Sequence, residues 1–177
     1  MGKQKPVVVT GCGRSGTHWL ANVLTHVFGP QEVAFEPVEY QNYSGVVVDS
    51  RLRWHMDHIQ LGSRRIVHLV RDGRDVVRSL HKWYRNNHHW ERSRFLGTGR
   101  MSSGAGDTVS FEECCGEWAH AIEIMGTRRV MRLEDLTTPQ NAQTKHTLPH
   151  YSEWDDELTE IFWDICGEHM KRMGYER

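Results

Sequence analysis

A glycine-rich turn near the start of the chain has the residue types of an anion-binding loop. A β-branched run, residues 7–10, leads into Gly-Cys-Gly-Arg-Ser-Gly-Thr and then into an apolar segment. Backbone N–H groups at a helix N-terminus, approached closely over glycines, bind phosphate without any side chain. A nucleoside triphosphate loop of the form GxxxxGK[ST] has lysine after its last glycine, whereas this chain has Thr17 there. The cation is Arg14, inside the loop, which favours a donor with one phosphate beside the transferred group over a Mg²⁺-bridged polyphosphate.

Residues 64–85 repeat this design of strand, tight turn and helix. Arg71 follows the predicted strand 66–70, and Ser79 lies eight residues further on, in the predicted helix. A guanidinium from the turn and a hydroxyl from the helix can together clamp a second phosphate. Two anion sites at neighbouring strand ends, with no acidic metal-holding motif beside them, indicate a nucleotide that is phosphorylated at two places.

Strands that alternate with helices predict an α/β fold of three layers, a mainly parallel central sheet flanked by helices. The apolar runs predicted as strands are 6–10, 32–35, 45–50, 66–70 and 128–136, and helices are expected over about 15–28, after strand 66–70, over 111–125 and over about 153–172. Ligands of such sheets bind beyond the carboxyl ends of the strands. Four side chains are therefore expected at one rim of the sheet: Arg14, Glu36, Asp49 and Arg71.

The length and charge of the chain limit its class. A chain of 177 residues favours a single domain over 1–177. Its net charge of −1 argues against a nucleic-acid binder, while nine Lys and Arg against three acids in residues 64–94 favour a small anionic ligand. Residues 86–108, rich in glycine, serine and charge, are interpreted as a substrate loop or lid, and a mobile surface loop is the open alternative.

Cysteine and histidine spacing predicts neither a disulfide framework nor a metal site. The four cysteines have no CxxC spacing, and the twelve histidines form neither HxxxH nor HExxH. No long apolar run or secretory signal is visible, so we expect no membrane span and a cytoplasmic location.

Three segments resemble those of the PAPS-dependent sulfotransferases. GCGRSGTHWL resembles their 5′-phosphosulfate loop, IVHLVRDGRDVVRSL resembles their 3′-phosphate segment, and VMRLEDL resembles the R-[YL]-E-D-L segment of the next core strand. The segments occur in the family's order and together cover residues 7–136. Arg14 and the short chain are more similar to bacterial-type and tyrosylprotein-type enzymes than to the cytosolic hormone-sulfating ones. The resemblance implies a sulfotransferase fold that is similar to that of P-loop NTPases.

The resemblance also implies a donor, 3′-phosphoadenosine 5′-phosphosulfate (PAPS), and a product, 3′,5′-adenosine bisphosphate. A sulfuryl group would move to a hydroxyl or amine of a small-molecule, carbohydrate or lipid acceptor, with no metal required. Arg71 and Ser79 would hold the 3′-phosphate, and Arg14 would also act catalytically by stabilising the leaving phosphate. The residues implied for the 5′-phosphosulfate side are Arg14, Ser15, Gly16, Thr17, His18 and Trp19.

Sulfuryl transfer needs a group that takes the proton of the acceptor, and a positioned carboxylate or histidine can do this. The resemblance to tyrosylprotein and heparan-type enzymes implies Glu36, in the segment EVAFEP, as this base. Asp49 and His55 remain alternatives. Two rival functions also remain open, a nucleotide or small-molecule kinase with a degenerate loop and a non-catalytic nucleotide-binding module.

Overall fold

A computed structural model describes most of the chain. The described residues are 7–37, 45–50, 65–86, 109–126, 129–136 and 148–177. They divide into two compact units: unit 1 comprises Met1–Arg71 and Ile124–Pro139, and unit 2 comprises Asp72–Glu123 and Gln140–Arg177. The prediction of one domain over 1–177 stays a prediction. Residues 87–108 of the expected substrate loop lie outside the described residues, and so does His55.

Unit 1 contains a five-stranded parallel sheet. Its strands are β1 (Val7–Gly11), β2 (Val33–Phe35), β3 (Val46–Asp49), β4 (Arg65–Val70) and β5 (Val130–Arg132). Their order is β2-β3-β1-β4-β5, and every neighbouring pair is parallel. Apolar runs with few polar residues are typical of parallel strands that are buried on both faces. The predicted α/β class with a parallel central sheet is therefore confirmed.

The two faces of the sheet have different cores. One face packs Val9, Val48 and Leu69 against Leu20 and Ala21 of the helix α1 (Thr17–Phe28). The opposite face carries the fully buried Val8 and Val47, with Ala34 beside them. Successive side chains of a strand point to opposite faces, so each strand contributes to both cores.

Helix α1 begins and ends at glycines with left-handed backbones. Gly16 precedes it at φ 94°, and Gly29 follows it at φ 92° with its N–H donating to the carbonyl of Thr25 at 2.9 Å. The predicted end of this helix at about residue 28 is confirmed, while the helix begins at Thr17 rather than at Ser15. The β1–α1 turn therefore extends to Gly16.

Unit 2 is built from helices. They are α2 (Gly73–Asn86), most of α3 (Phe111–Met125) and α5 (Asp156–Arg172), with a 3₁₀ turn at Tyr151–Glu153. In unit 1 a short helix, α4 (Leu133–Leu136), follows β5, so the prediction of a strand over 128–136 is wrong for residues 133–136. A capping box begins α3: the N–H of Glu113 donates to Ser110 Oγ, and the N–H of Ser110 donates to Glu113 Oε2. Asp155 caps α5 by accepting from the N–H of Leu158 at 2.8 Å.

The core of unit 2 is aromatic and aliphatic. Trp118, Phe162 and Met170 are fully buried. Val76 and Leu80 of α2 are buried as well. None of the helices in the described part of the chain is long and apolar enough to span a membrane.

We predict that Gly11→Ala lowers the free energy of unfolding by about 1–3 kcal/mol. A Cβ at Gly11 would lie 2.5 Å from the carbonyl oxygen of Leu69 on β4, so the two strands would have to separate. Gly116→Ala is the matched control, because a Cβ there meets nothing within 4 Å and alanine favours a helix. Urea unfolding measures both variants, and an unchanged midpoint for Gly11→Ala would contradict the prediction.

Candidate anion-binding site

The turn between β1 and α1 has the backbone of an anion-binding loop. Arg14 at φ 70° and Gly16 at φ 94° are both left-handed, and Ser15 lies between them with its N–H donating to the carbonyl of Cys12 at 3.0 Å. Alternation of left-handed and ordinary backbone turns successive N–H groups toward a common point. Among the residues that the structure describes, no side chain caps α1, and the first turn of this helix has no acidic residue. The dipole at this end therefore favours an anion.

Two hydroxyl side chains of the turn are buried. Ser15 is 1% exposed, and within the described parts of the chain its Oγ has no hydrogen-bond partner. Thr17, the first residue of α1, is also buried. A buried hydroxyl without a hydrogen-bond partner is unfavourable. A bound anion that accepts a hydrogen bond from Ser15 Oγ would remove this cost.

Two arginines meet at the rim of the sheet. Arg14 lies three residues beyond the end of β1, and Arg71 lies directly beyond β4, which pairs with β1 so that Gly11 is opposite Leu69. Arg14 is an exposed residue. The pKa of its guanidinium is nevertheless lowered, mainly because this group is partly buried and to a smaller extent because Arg71 is also positively charged. The two guanidinium groups therefore repel each other, and an anion between them would remove this repulsion.

The first turn of α1 presents two further predicted residues. Trp19 is 40% exposed, so its ring is not part of the core. His18 is also exposed, and its ring packs on Phe35 of β2 with centroids 4.2 Å apart. Both side chains are thus available at the surface beside the turn.

The second predicted pair, Arg71 and Ser79, falls in different units. Ser79 is buried on α2, which belongs to unit 2, whereas Arg71 is the last residue of the first segment of unit 1. Their joint contact with one phosphate therefore stays a prediction. The two acids nearby pair within unit 2. Asp72 binds Arg74 through two of its guanidinium nitrogens, with the shortest contact at 2.6 Å, and Asp75 accepts from Arg78 at 3.3 Å.

The candidate base, Glu36, lies directly after β2 in an unusual backbone. Its φ is 43°, and its N–H donates to the carbonyl of Val48 at 2.9 Å. Ser50, the residue after β3, donates its hydroxyl to Glu36 Oε1 at 2.6 Å. The sequence gives no sign of this pair, since fourteen residues separate its members; only the register of β2 and β3 reveals it.

A buried polar row crosses the sheet face opposite α1. Asp49 on β3, Thr10 on β1 and His68 on β4 are neighbours in register, and all three are buried. Burial lowers the pKa of His68, against a smaller opposing effect from a hydrogen bond with the backbone of Gly126. The motif analysis missed Thr10 and His68, although polar residues inside apolar strands were a usable signal. Asp49 thus belongs to a row of buried polar side chains on the sheet.

Among the described residues, no group of three or more His, Cys, Asp or Glu side chains could hold a metal ion. The candidate site has two parts. Backbone N–H groups, hydroxyls and arginines lie at the ends of β1 and β4, and the Glu36–Ser50 pair lies at the ends of β2 and β3.

Comparison with known proteins adds little detail. No family model matches the chain, and no curated protein matches it. One solved structure to which it is similar is that of mouse sulfotransferase SULT7A1 complexed with PAP, at 16% sequence identity and a TM-score of 0.43. The alignment covers 99% of this chain and 60% of that one, so this chain spans less than two thirds of its length.

We predict that His68 makes the protein less stable in mild acid. An unfolded histidine takes up a proton near pH 6.5, whereas burial lowers the pKa of His68 in the folded protein. Below about pH 6.5 the unfolded state therefore binds more protons, and stability falls as the pH falls through the lowered folded pKa. Urea midpoints from pH 8 to pH 5 measure this slope, which His68→Gln should reduce. An equal slope in His68→Gln and the unaltered protein would contradict the assignment.

Proposed function

We propose that the chain is a PAPS-dependent sulfotransferase that moves a sulfuryl group to a hydroxyl or amine acceptor. The observation that supports this most is the pair Arg14 and Arg71, two cations at adjacent strand ends that are close enough for one to lower the pKa of the other. Such a pair suits a ligand with two anionic groups. The resemblance of both segments to those of sulfotransferases supplies the identity of the donor.

The turn and the start of α1 bind the 5′-phosphosulfate of the donor. Backbone N–H groups around Gly16 and the hydroxyls of Ser15 and Thr17 donate to its oxygens, with His18 and Trp19 at the outer edge. Arg14 lies over the oxygen that bridges phosphorus and sulfur. Arg71 takes the 3′-phosphate, and the participation of Ser79 stays a prediction from the sequence.

Transfer then needs one proton acceptor and one stabilised leaving group. The acceptor O–H or N–H bond breaks and its proton moves to the Glu36 carboxylate, while a new bond to sulfur forms. The bond between sulfur and the bridging oxygen breaks, and negative charge develops on the 5′-phosphate. Arg14 stabilises that charge, and the base contributes about 10²–10⁴-fold in rate.

The acceptor is a small molecule, a carbohydrate or a lipid. Incubation of the protein with ³⁵S-labelled PAPS and a panel of phenols, amino sugars and sterols identifies the class by transfer of the label.

We predict that 3′,5′-adenosine bisphosphate binds in the presence of EDTA and that Arg71→Ala weakens this binding about 10–100-fold, as expected for the loss of charge-assisted hydrogen bonds. Isothermal titration calorimetry measures the affinity. Arg85→Ala is the matched control, because it removes an exposed cation of α2 that we assign no role in binding. That variant should bind within about twofold of the unaltered protein, well under the loss of one hydrogen bond.

Three results would contradict the proposal. Equal affinity for 5′-AMP would remove the role of the second phosphate. Tighter binding of ATP with Mg²⁺ than of the bisphosphate would favour the kinase. Tight binding of the bisphosphate with no transfer or hydrolysis of labelled PAPS would favour a non-catalytic nucleotide-binding module.

A further inference from the structure

The Glu36 carboxylate is held by a hydroxyl from the neighbouring strand. Ser50 Oγ donates to Glu36 Oε1 at 2.6 Å, which is a short hydrogen bond. The two residues occupy equivalent places, since each directly follows a strand and the strands β2 and β3 are parallel neighbours with Phe35 opposite Val48. The contact therefore follows from the register of the sheet.

The backbone of Glu36 is held by the same strand. A left-handed φ of 43° is unfavourable for any residue with a Cβ, and such conformations persist where the surroundings fix them. Here the N–H of Glu36 donates to the carbonyl of Val48 at 2.9 Å, and the side chain accepts from Ser50 two residues further on. The end of β3 thus fixes both the backbone and the carboxylate of Glu36.

The residue before Glu36 is held from the other side. Phe35 packs against the ring of His18, which belongs to the first turn of α1. The segment that carries the carboxylate therefore contacts both β3 and the helix that begins at the anion-binding turn. Small displacements of a reacting group lower the rate by large factors, so a carboxylate in a fixed position is suited to accept a proton.

We propose that Ser50 is a positioning residue, which holds the Glu36 carboxylate in the orientation that takes the proton of the acceptor. The inference rests on the proposed function, since it concerns the same transfer. Ser50 keeps its own proton throughout: the acceptor proton moves to Glu36, sulfur bonds to the acceptor, and 3′,5′-adenosine bisphosphate leaves. Loss of the Ser50 hydroxyl removes its hydrogen bond to Glu36 and with it one restraint on the orientation of the carboxylate.

Single-turnover kinetics with excess protein and ³⁵S-labelled PAPS test this role, with water and the phenols of the acceptor panel as acceptors. We expect Ser50→Ala to lower the rate of sulfur release or transfer about 10–100-fold, while the affinity for 3′,5′-adenosine bisphosphate stays within about twofold. Ser50→Thr, which keeps the hydroxyl, should restore most of the rate. Glu36→Gln should lower the rate by about 10²–10⁴-fold.

The double variant separates positioning from other roles. If Ser50 acts through Glu36, Ser50→Ala causes no further loss in the Glu36→Gln background. Ser152→Ala is the matched control in unit 2: it removes a hydroxyl that contacts the titratable His150 at 2.8 Å, and it should leave the rate unchanged. Melting temperatures confirm that each variant is folded, and Ser50→Cys, with its weaker donor, replaces Ser50→Ala if alanine prevents folding.

The outcomes distinguish the inference from the function on which it rests. A full rate in Ser50→Ala, together with a large loss in Glu36→Gln, would overturn the role of Ser50 and leave the sulfotransferase proposal intact. An equal loss from Ser50→Ala with and without Glu36 would also overturn it. No binding of the bisphosphate and no turnover of PAPS by the unaltered protein would overturn the proposed function itself.

Discussion

Repulsion between the guanidinium groups of Arg14 and Arg71 is the interaction on which the candidate site depends. Like charges separate unless the structure holds them together, and here the positive charge of Arg71 contributes to lowering the pKa of Arg14. The sheet holds them, because β1 and β4 are hydrogen-bonded neighbours and each arginine follows the end of its strand. The buried core of Val9, Leu69 and Leu20 fixes the strands in turn. A bound anion would therefore interact with two cations at once.

The parallel sheet arranges the remaining chemistry along its carboxyl-end rim. β2 and β3 end together, which brings Glu36 beside Ser50, and β1 and β4 end together, which brings the anion-binding turn beside Arg71. Two of the residues with left-handed backbones that are not glycine, Arg14 and Glu36, lie at this rim, and both are candidate catalytic residues. Backbone strain of this kind is common where a fold fixes functional side chains.

The sequence predicted those features that depend on local patterns. Apolar runs located β1 to β4 and the three residues of β5, while residues 133–136 of the last run form the helix α4. The expected helices over about 15–28, 111–125 and about 153–172 are also present. The placement of Arg14 and Arg71 at one rim followed from the rule for ligands of parallel sheets. These signals depend on residues close together in the chain, so a single sequence is sufficient to find them.

Contacts set by strand register could not be predicted in this way. Ser50 meets Glu36, and Thr10 lies between Asp49 and His68, only because particular residues of separate strands are opposite each other. A slip of one residue would turn each of these side chains to the other face. Ser79 shows a further limit: its distance from Arg71 in sequence predicted a shared phosphate, but the two residues belong to different units and their joint contact stays a prediction.

The central claim is that the fold places Arg14 and Arg71 close together and so forms an anion-binding site. The most direct test compares thermal unfolding in sulfate with thermal unfolding in chloride at equal ionic strength. Binding to the folded state raises its stability, so the account predicts that sulfate raises the melting temperature of the unaltered protein and of Arg85→Gln by several degrees, about 2–4 °C for each kcal/mol. Arg71→Gln should lose most of the sulfate effect, because it removes one of the two cations that the anion would contact. An equal sulfate effect in Arg71→Gln and the unaltered protein would contradict the claim.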